Sequence, residues 1–263
     1  MKGNRVILAA HRGDRLKHPE NSMSAFRAAI DFGVDMIETD IRMSKDGELV
    51  IIHDRSALRT AGVDKYVDEM TLDEIKELDL GKTFSPEYKT ERIPTVKEFI
   101  DLIRKTEVLV NWELKVYPYN FGEAVAFEVA DKLIALIEEN GLAKRSMINS
   151  FSSHLLEYVR EKHGNKFMIH GQGIDKCRRS NDDPKMPENE LFDWCCLYPE
   201  EKGKLATDFK ENFDYCIENK ILPCICIPDV YEDYKKALDY GCKMFTSNDR
   251  YKCDEILRKL GVR

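Results

Sequence analysis

The 263-residue chain has no apolar run long enough to cross a bilayer, no low-complexity tract and no heptad pattern. These absences argue against a membrane-spanning helix and a disordered chain, no stable membrane insertion is expected, and oligomeric state is not readable. There is also no excess of basic residues. Lys and Arg number 41 against 48 Asp and Glu, a net charge of −7 with a pI near 5.5, so a nucleic-acid partner, whose affinity would rest on neutralising many phosphates, is not expected. A local basic pocket stays open. The eight cysteines, at 177, 195, 196, 216, 224, 226, 242 and 253, contain no Cys-x-x-Cys pair and no repeated spacing. Neither a zinc cluster nor a disulfide framework is therefore expected. The start, Met1-Lys2-Gly3-Asn4-Arg5, is basic, but the apolar run from Val6 to Ala10 reaches His11-Arg12-Gly13 after five residues, too short for a signal peptide. The expectation is a cytoplasmic protein with reduced thiols.

What is present is globular. Apolar residues make up 43% of the chain and charged residues 34%, and a chain of this length buries roughly 70–75% of its unfolded surface. Short β-branched runs alternate with amphipathic stretches, the pattern of βα units around a parallel sheet. Strands are expected at 6–10, 36–41, 49–53, 108–116, 146–151, 167–170, 195–198, 221–227 and 242–246. Thr95-Val96-Lys97-Glu98 and Thr71-Leu72-Asp73-Glu74 are capping boxes, the second opening a short helix toward Leu80 that Gly81 closes. Val125, Val129, Leu133 and Ile137 recur every four residues as the buried stripe of a helix ended by Gly141. This alternation fits a single α/β domain over residues 1–263, a (β/α)8 TIM barrel. Residues 55–94, with turn signals, one short helix and a polar stretch, read as an insertion in the βα loop after the strand carrying His53. The segment Asn181-Asp182-Asp183-Pro184-Lys185-Met186-Pro187 reads as loop.

In such barrels chemistry gathers at the carboxyl ends of the strands. Those ends are polar here: His11-Arg12-Gly13-Asp14, Glu38-x-Asp40, His53-Asp54 and Glu113-x-Lys115. Because strand side chains alternate, Glu38 and Asp40 share a face, as do Glu113 and Lys115. Three carboxylates in one concave site raise one another's pKa unless a cation neutralises them, and all-oxygen ligation favours Mg2+, Ca2+ or Mn2+ over zinc. Arg12 and Lys115 make the pocket fit for an anion, while His11 and His53 form an acid/base pair. Any one of these residues alone reads as an exposed end or a structural ion pair. Their convergence on one rim is what points to a site. His18, His154, His163 and His170 read as structural histidines.

The run His11-Arg12-Gly13, Pro19-Glu20-Asn21-Ser22, Ala25-Phe26, Gly33-x-Asp35-x-Ile37-Glu38-x-Asp40, Lys45-Asp46-Gly47 and His53-Asp54 resembles the glycerophosphodiester phosphodiesterase family. The resemblance continues through Arg59-Thr60, Gly62, Leu78-Asp79-x-Gly81, Ile93-Pro94-Thr95 and Glu113-Leu114-Lys115, with Ser150-Phe151 beyond. It implies a TIM barrel with an insertion after the second histidine and metal-dependent hydrolysis of a small phosphodiester to glycerol 3-phosphate and an alcohol. It further implies that Glu38, Asp40 and Glu113 bind a divalent cation and that His11 and His53 are the acid/base pair. Arg12 and Lys115 would hold the phosphodiester, and Glu20 would support that binding. Toward the carboxyl end the resemblance fades, at Cys224-Ile225-Cys226-Ile227-Pro228-Asp229 and Thr246-Ser247-Asn248-Asp249, loops that shape the alcohol side.

Tyr117 and Tyr119 have two readings, cation–π contacts for a choline headgroup or aromatics that pack a loop. Cys224 and Cys226 alternate with Ile225 and Ile227 on a buried strand and read as apolar packing. Other functions weighed are phospholipase D-type action on lysophospholipids, which needs an apolar acyl channel, a glycoside hydrolase, which needs paired carboxylates but not His11, Arg12 and Lys115, and a silent binding protein on the same fold.

Overall fold

The computed structural model describes residues 5–173, 185–199, 202–228 and 230–263. Cys177, Asp229, the first four residues and most of the loop from Asn181 to Pro187 lie outside these described residues. Each of the nine expected segments forms a strand: β1 Ile7–His11, β2 Met36–Met43, β3 Leu49–Ile51, β4 Leu109–Leu114, β5 Ser146–Ser150, β6 Met168–Gln172, β7 Trp194–Leu197, β8 Leu222–Cys226 and β9 Met244–Ser247. All but β3 run parallel to their neighbours, and β1 pairs with both β2 and β9, so eight strands close into the expected barrel.

The exception, β3, pairs antiparallel with the far end of β2, Ile41 opposite Ile51. The turn between them is the Lys45-Asp46-Gly47 run, where Gly47 takes φ +85°, the left-handed region open to glycine at no steric cost. Asp46 accepts from the Ser44 hydroxyl at 2.6 Å. His53 therefore sits on no barrel strand. It follows a strand that doubles back over the carboxyl end of β2 and descends onto the mouth from above.

Two cores hold the barrel. Outside the sheet, Trp112, Phe99 and Phe26 are fully buried in a row, Phe26 tilted against Phe99 with centroids 4.3 Å apart and Phe99 edge-to-face with Trp112 at 5.5 Å; each such side chain contributes roughly 1.5–3 kcal/mol by leaving water. The helix Glu123–Glu139 adds Val129, Leu133 and Ile137 to the same layer. Inside, Ile7, Ala9, Met36, Met147, Trp194 and Met244 plug the amino end of the barrel. With that end filled, the open end is the carboxyl one.

Both capping boxes form as expected. The second helix differs in length: it covers Leu72–Lys76, and Gly81 begins another short helix, Gly81–Phe84, instead of closing the first. Between β3 and β4 the chain folds into short helices around a small core of its own, in which Val67, Met70, Ile75, Leu80 and Ile93 pack against Val50 and Ile52. Among the described residues, no helix is long and apolar enough to cross a membrane.

Candidate active site

Barrel register brings the polar strand ends together. His11 lies beside Glu38 on β1 and β2, and Asp40 lies beside Glu113 on β2 and β4. With alternation along each strand, all four side chains face inward near the rim. Glu38, Asp40 and Glu113 are buried, and an oxygen of each lies within 4.8 Å of the others. Glu38 and Glu113 line a cavity of about 160 Å³ with His11, Arg12, His53 and Lys115, and Asp40 lies behind its wall. A larger depression of about 470 Å³ lies at the opposite end, along the starts of β1, β2 and β4, where no comparable group of titratable side chains meets among the described residues.

Three buried carboxylates repel one another, and their surroundings treat them unequally. Burial, reinforced by Asp40 and Glu113, pushes the Glu38 carboxyl well up; burial also raises Glu113, with Asp40 adding to it. Asp40 is equally buried, yet Lys115 and Arg12 hold its carboxyl well below the usual range. Lys115 Nζ bonds Glu113 and lies 3.2 Å from Asp40, while Arg12 Nε lies 3.2 Å from Asp40. Asn21 donates its amide to Asp40 at 2.7 Å. Glu38 Oε1 is buried with no hydrogen-bond partner among the described residues, a costly state that a bound cation relieves. An all-oxygen donor set in which Glu38 Oε1 and Asp40 Oδ1 have no hydrogen-bond partner among the described residues fits a hard divalent cation held by Glu38, Asp40 and Glu113.

The histidines have different partners. His11 Nδ1 lies 2.6 Å from Asn248 Oδ1, which accepts from the Nδ1–H tautomer and turns Nε2 toward Glu38 at 3.7 Å. Burial, with Arg12 nearby, pushes His11 down to about 3, so it is neutral at physiological pH. His53 Nδ1 donates to Asp54 at 2.6 Å. It is more exposed than His11 and is lowered mainly by burial.

A chain of ion pairs ties the loop after β1, which follows His11, to the loop that carries His53. Asp54 accepts from Arg59 at 2.6 Å. Arg59 also grips Glu20 through two nitrogens at 2.7 and 2.9 Å, a bidentate contact. Glu20 bonds Arg12 at 2.8 Å and Arg15 at 2.9 Å, and Arg12 reaches Asp40. Burial opposes the ionisation of Glu20, yet Arg59, Arg12 and Arg15 hold its carboxyl down at about 2. The loop after β1 that carries Arg12 is tightly bent: Arg12, Gly13 and Asn21 all take positive φ, and a Cβ on Gly13 would meet the Ala25 carbonyl carbon at 2.8 Å.

Of the residues singled out by sequence, His11, His53, Arg12, Lys115, Glu38 and Glu113 line this one cavity, and Asp40 lies behind it against Arg12 and Lys115. Lys115 faces Asp40 and Glu113, and Glu20 stands behind Arg12 without lining the cavity. Sequence reasoning missed Asn21, Arg15, Arg59 and Asn248 as partners. The only signal was that Asn21 and Arg59 lie in the quoted family runs; Asn248 lies where the resemblance fades. Tyr117 and Tyr119 stack on each other, centroids 5.2 Å apart, and the cavity's aromatic walls are instead Phe151 and Tyr198. As read, Cys224 and Cys226 pack in the apolar interior of the barrel, beside Cys196. His170, read as isolated, meets Cys196 and Cys224 in the barrel interior, their ligating atoms within 4.8 Å of one another, because β6, β7 and β8 are adjacent and all three side chains point inward.

Residues 11–185 match the sequence model of the Glycerophosphoryl diester phosphodiesterase family. A glycerophosphodiester phosphodiesterase of Caldanaerobacter subterraneus is 39% identical over 157 residues, 60% of this chain and 63% of that protein. One from Bacillus altitudinis is 33% identical over 143 residues, 54% of this chain and 56% of that protein. The chain thus spans about six-tenths of the length of these curated relatives. Among solved structures, an Oleispira antarctica phosphodiesterase in complex with the product sn-glycerol-3-phosphate has a TM-score of 0.79 at 20% identity, covering 96% of each chain. The glycerophosphodiester phosphodiesterase of Thermotoga maritima has a TM-score of 0.71 at 22% identity, covering 98% of this chain and 99% of that one. At these identities the structures establish the shared fold, and the match over residues 11–185 makes the chain a member of the glycerophosphoryl diester phosphodiesterase family.

Proposed function

We propose that this chain, one barrel domain with residues 55–94 as an insertion, hydrolyses glycerophosphodiesters to glycerol 3-phosphate and an alcohol with the help of a divalent cation. The observation that carries the reading is that His11, at the end of β1, and His53, on the loop after β3, line one small cavity with Arg12 and two members, Glu38 and Glu113, of a cluster of three buried carboxylates. Family membership and relatives named for this activity support it. A glycoside hydrolase has no use for this histidine pair, and about 160 Å³ suits a glycerophosphate group rather than an acyl chain.

Glu38, Asp40 and Glu113 would hold the cation, which supplies positive charge to the non-bridging phosphate oxygens. Arg12, held at fixed angle by Glu20 and Asp40, adds a guanidinium that needs no reorganisation as charge builds. His11, neutral and backed by the uncharged Asn248 amide, is suited to take the proton of the attacking hydroxyl. His53, backed by the Asp54 carboxylate that stabilises its imidazolium, is suited to give a proton to the departing alkoxide. Each histidine ends the cycle in the other's starting state, and proton exchange with solvent resets the pair.

Release of glycerol 3-phosphate from glycerophosphocholine and glycerophosphoethanolamine tests the reading, with Mg2+, Ca2+ or Mn2+ added and again after EDTA. Cation-dependent release is expected. No release with any cation from folded protein overturns the substrate class, and release untouched by EDTA overturns the cation's part in it.

A further inference from the structure

Beneath the carboxylates the barrel interior holds a second group of ligating atoms of different chemistry. His170 on β6, Cys196 on β7 and Cys224 on β8 are each at most 2% exposed. Cys196 and Cys224 are register partners on adjacent strands, and Cys224 Sγ lies 3.2 Å from His170 Nε2. Cys226, the next inward position on β8, sits beside Cys196 and brings another sulfur. We infer that His170, Cys196 and Cys224 form a binding site for a thiophilic d10 cation such as Zn2+, separate from the carboxylate site above it. The inference does not depend on the phosphodiesterase reading.

Three physical points support it. Softness comes first: two thiols and an imidazole select Zn2+ or Cu+ over the hard cations that carboxylates prefer. Charge comes second. Binding Zn2+ displaces the two thiol protons, and a dication with two thiolates is neutral, so the assembly sits in an apolar interior without a counter-ion. The third is the group behind the imidazole. Asn111 Nδ2 lies 3.1 Å from His170 Nδ1, while Asn111 Oδ1, equally buried, has no hydrogen-bond partner among the described residues. Exchanging the two ends of that amide gives an Nδ1–H its acceptor and frees the Nε2 lone pair, the arrangement that orients metal-bound histidines. A route in exists as well, because His170, Cys196 and Cys226 form part of the floor of the cavity that opens at the mouth.

The test uses the full chain, reduced and stripped of metal, titrated with Co2+ as a spectroscopic stand-in for Zn2+. One equivalent is expected to produce a thiolate-to-cobalt charge-transfer band. Cys196→Ser and Cys224→Ser should each abolish the band, and Glu113→Gln should keep it. X-ray absorption on zinc-loaded wild-type protein should show sulfur neighbours at about 2.3 Å, which decides the matter even if the serine variants fail to fold. Absence of the band from folded, reduced protein overturns the inference, as do a band surviving in both serine variants or zinc surrounded by nitrogen and oxygen alone.

Discussion

Glu20 is where the charge network can be cut with a predictable result. Its carboxylate is only 10% exposed and contacts Arg12, Arg15 and Arg59. Held at about 2 instead of the ordinary 4.5, it favours folding by on the order of 3 kcal/mol at neutral pH. The folded-state pKa lies below the unfolded one, so this contribution is whole above about pH 4.5, declines on acidification and is gone near pH 2. Glu20→Gln keeps the size and an acceptor oxygen but removes the charge, leaving three guanidinium groups facing one another. Unfolding in urea, followed by circular dichroism at pH 7, 5 and 3, should show the variant about 3 kcal/mol less stable at pH 7 and the gap roughly halved at pH 3. A thermal melt at pH 7 should fall by about 6–12 °C. A gap below about 1 kcal/mol at pH 7, or one of the same size at pH 3, would refute the argument that the three arginines stabilise the fold through Glu20. Because Glu20 fixes Arg12, the phosphodiester assay should register the same substitution as a rise in KM larger than the fall in kcat.

Other expectations follow from the same geometry. His11→Ala and His53→Ala should each lower kcat by about 10²–10⁴-fold in a protein whose circular dichroism is unchanged; near-normal turnover removes that histidine from the chemistry. Glu113→Gln should weaken the divalent cation, read as a shift to higher concentration in the activation curve, while an unchanged curve removes Glu113 from the ligand set. Gly13→Ala forces a Cβ against the Ala25 backbone at a residue with φ +78°, so it should cost about 1–3 kcal/mol in urea unfolding and misplace His11 and Arg12; wild-type stability would show that the loop bends elsewhere.

Several features could be read from sequence because they depend on local chemistry. The nine strands announce themselves as short apolar runs, many of them β-branched, the capping boxes at Thr71 and Thr95 as side chains reaching their own helix start, and the Glu38/Asp40 and Glu113/Lys115 pairs as two-residue periodicity. Period two states which residues share a face, and barrel folds place that face at a site. The resemblance to a known family added the roles that spacing alone leaves open.

The rest depended on which distant segments meet. Nothing local distinguishes β3 from a barrel strand. It leaves the ring because the β2 turn returns it antiparallel, and this is what carries His53 over the mouth. Asn248 reaches His11 only because β9 closes against β1, 237 residues away in sequence, and Arg59 joins Glu20 to Asp54 only because the segment between β3 and β4 folds back on the loop after β1. The adjacency of β6, β7 and β8 sets His170 among cysteines that show no ligand spacing along the chain. Sequence by itself determined the elements, their inward faces and the identity of the reactive side chains, since those follow from the residues and their periodicity. Tertiary structure alone decided the partners of each side chain, because strand register around a closed barrel, not distance along the chain, sets which side chains come within hydrogen-bonding or coordinating reach.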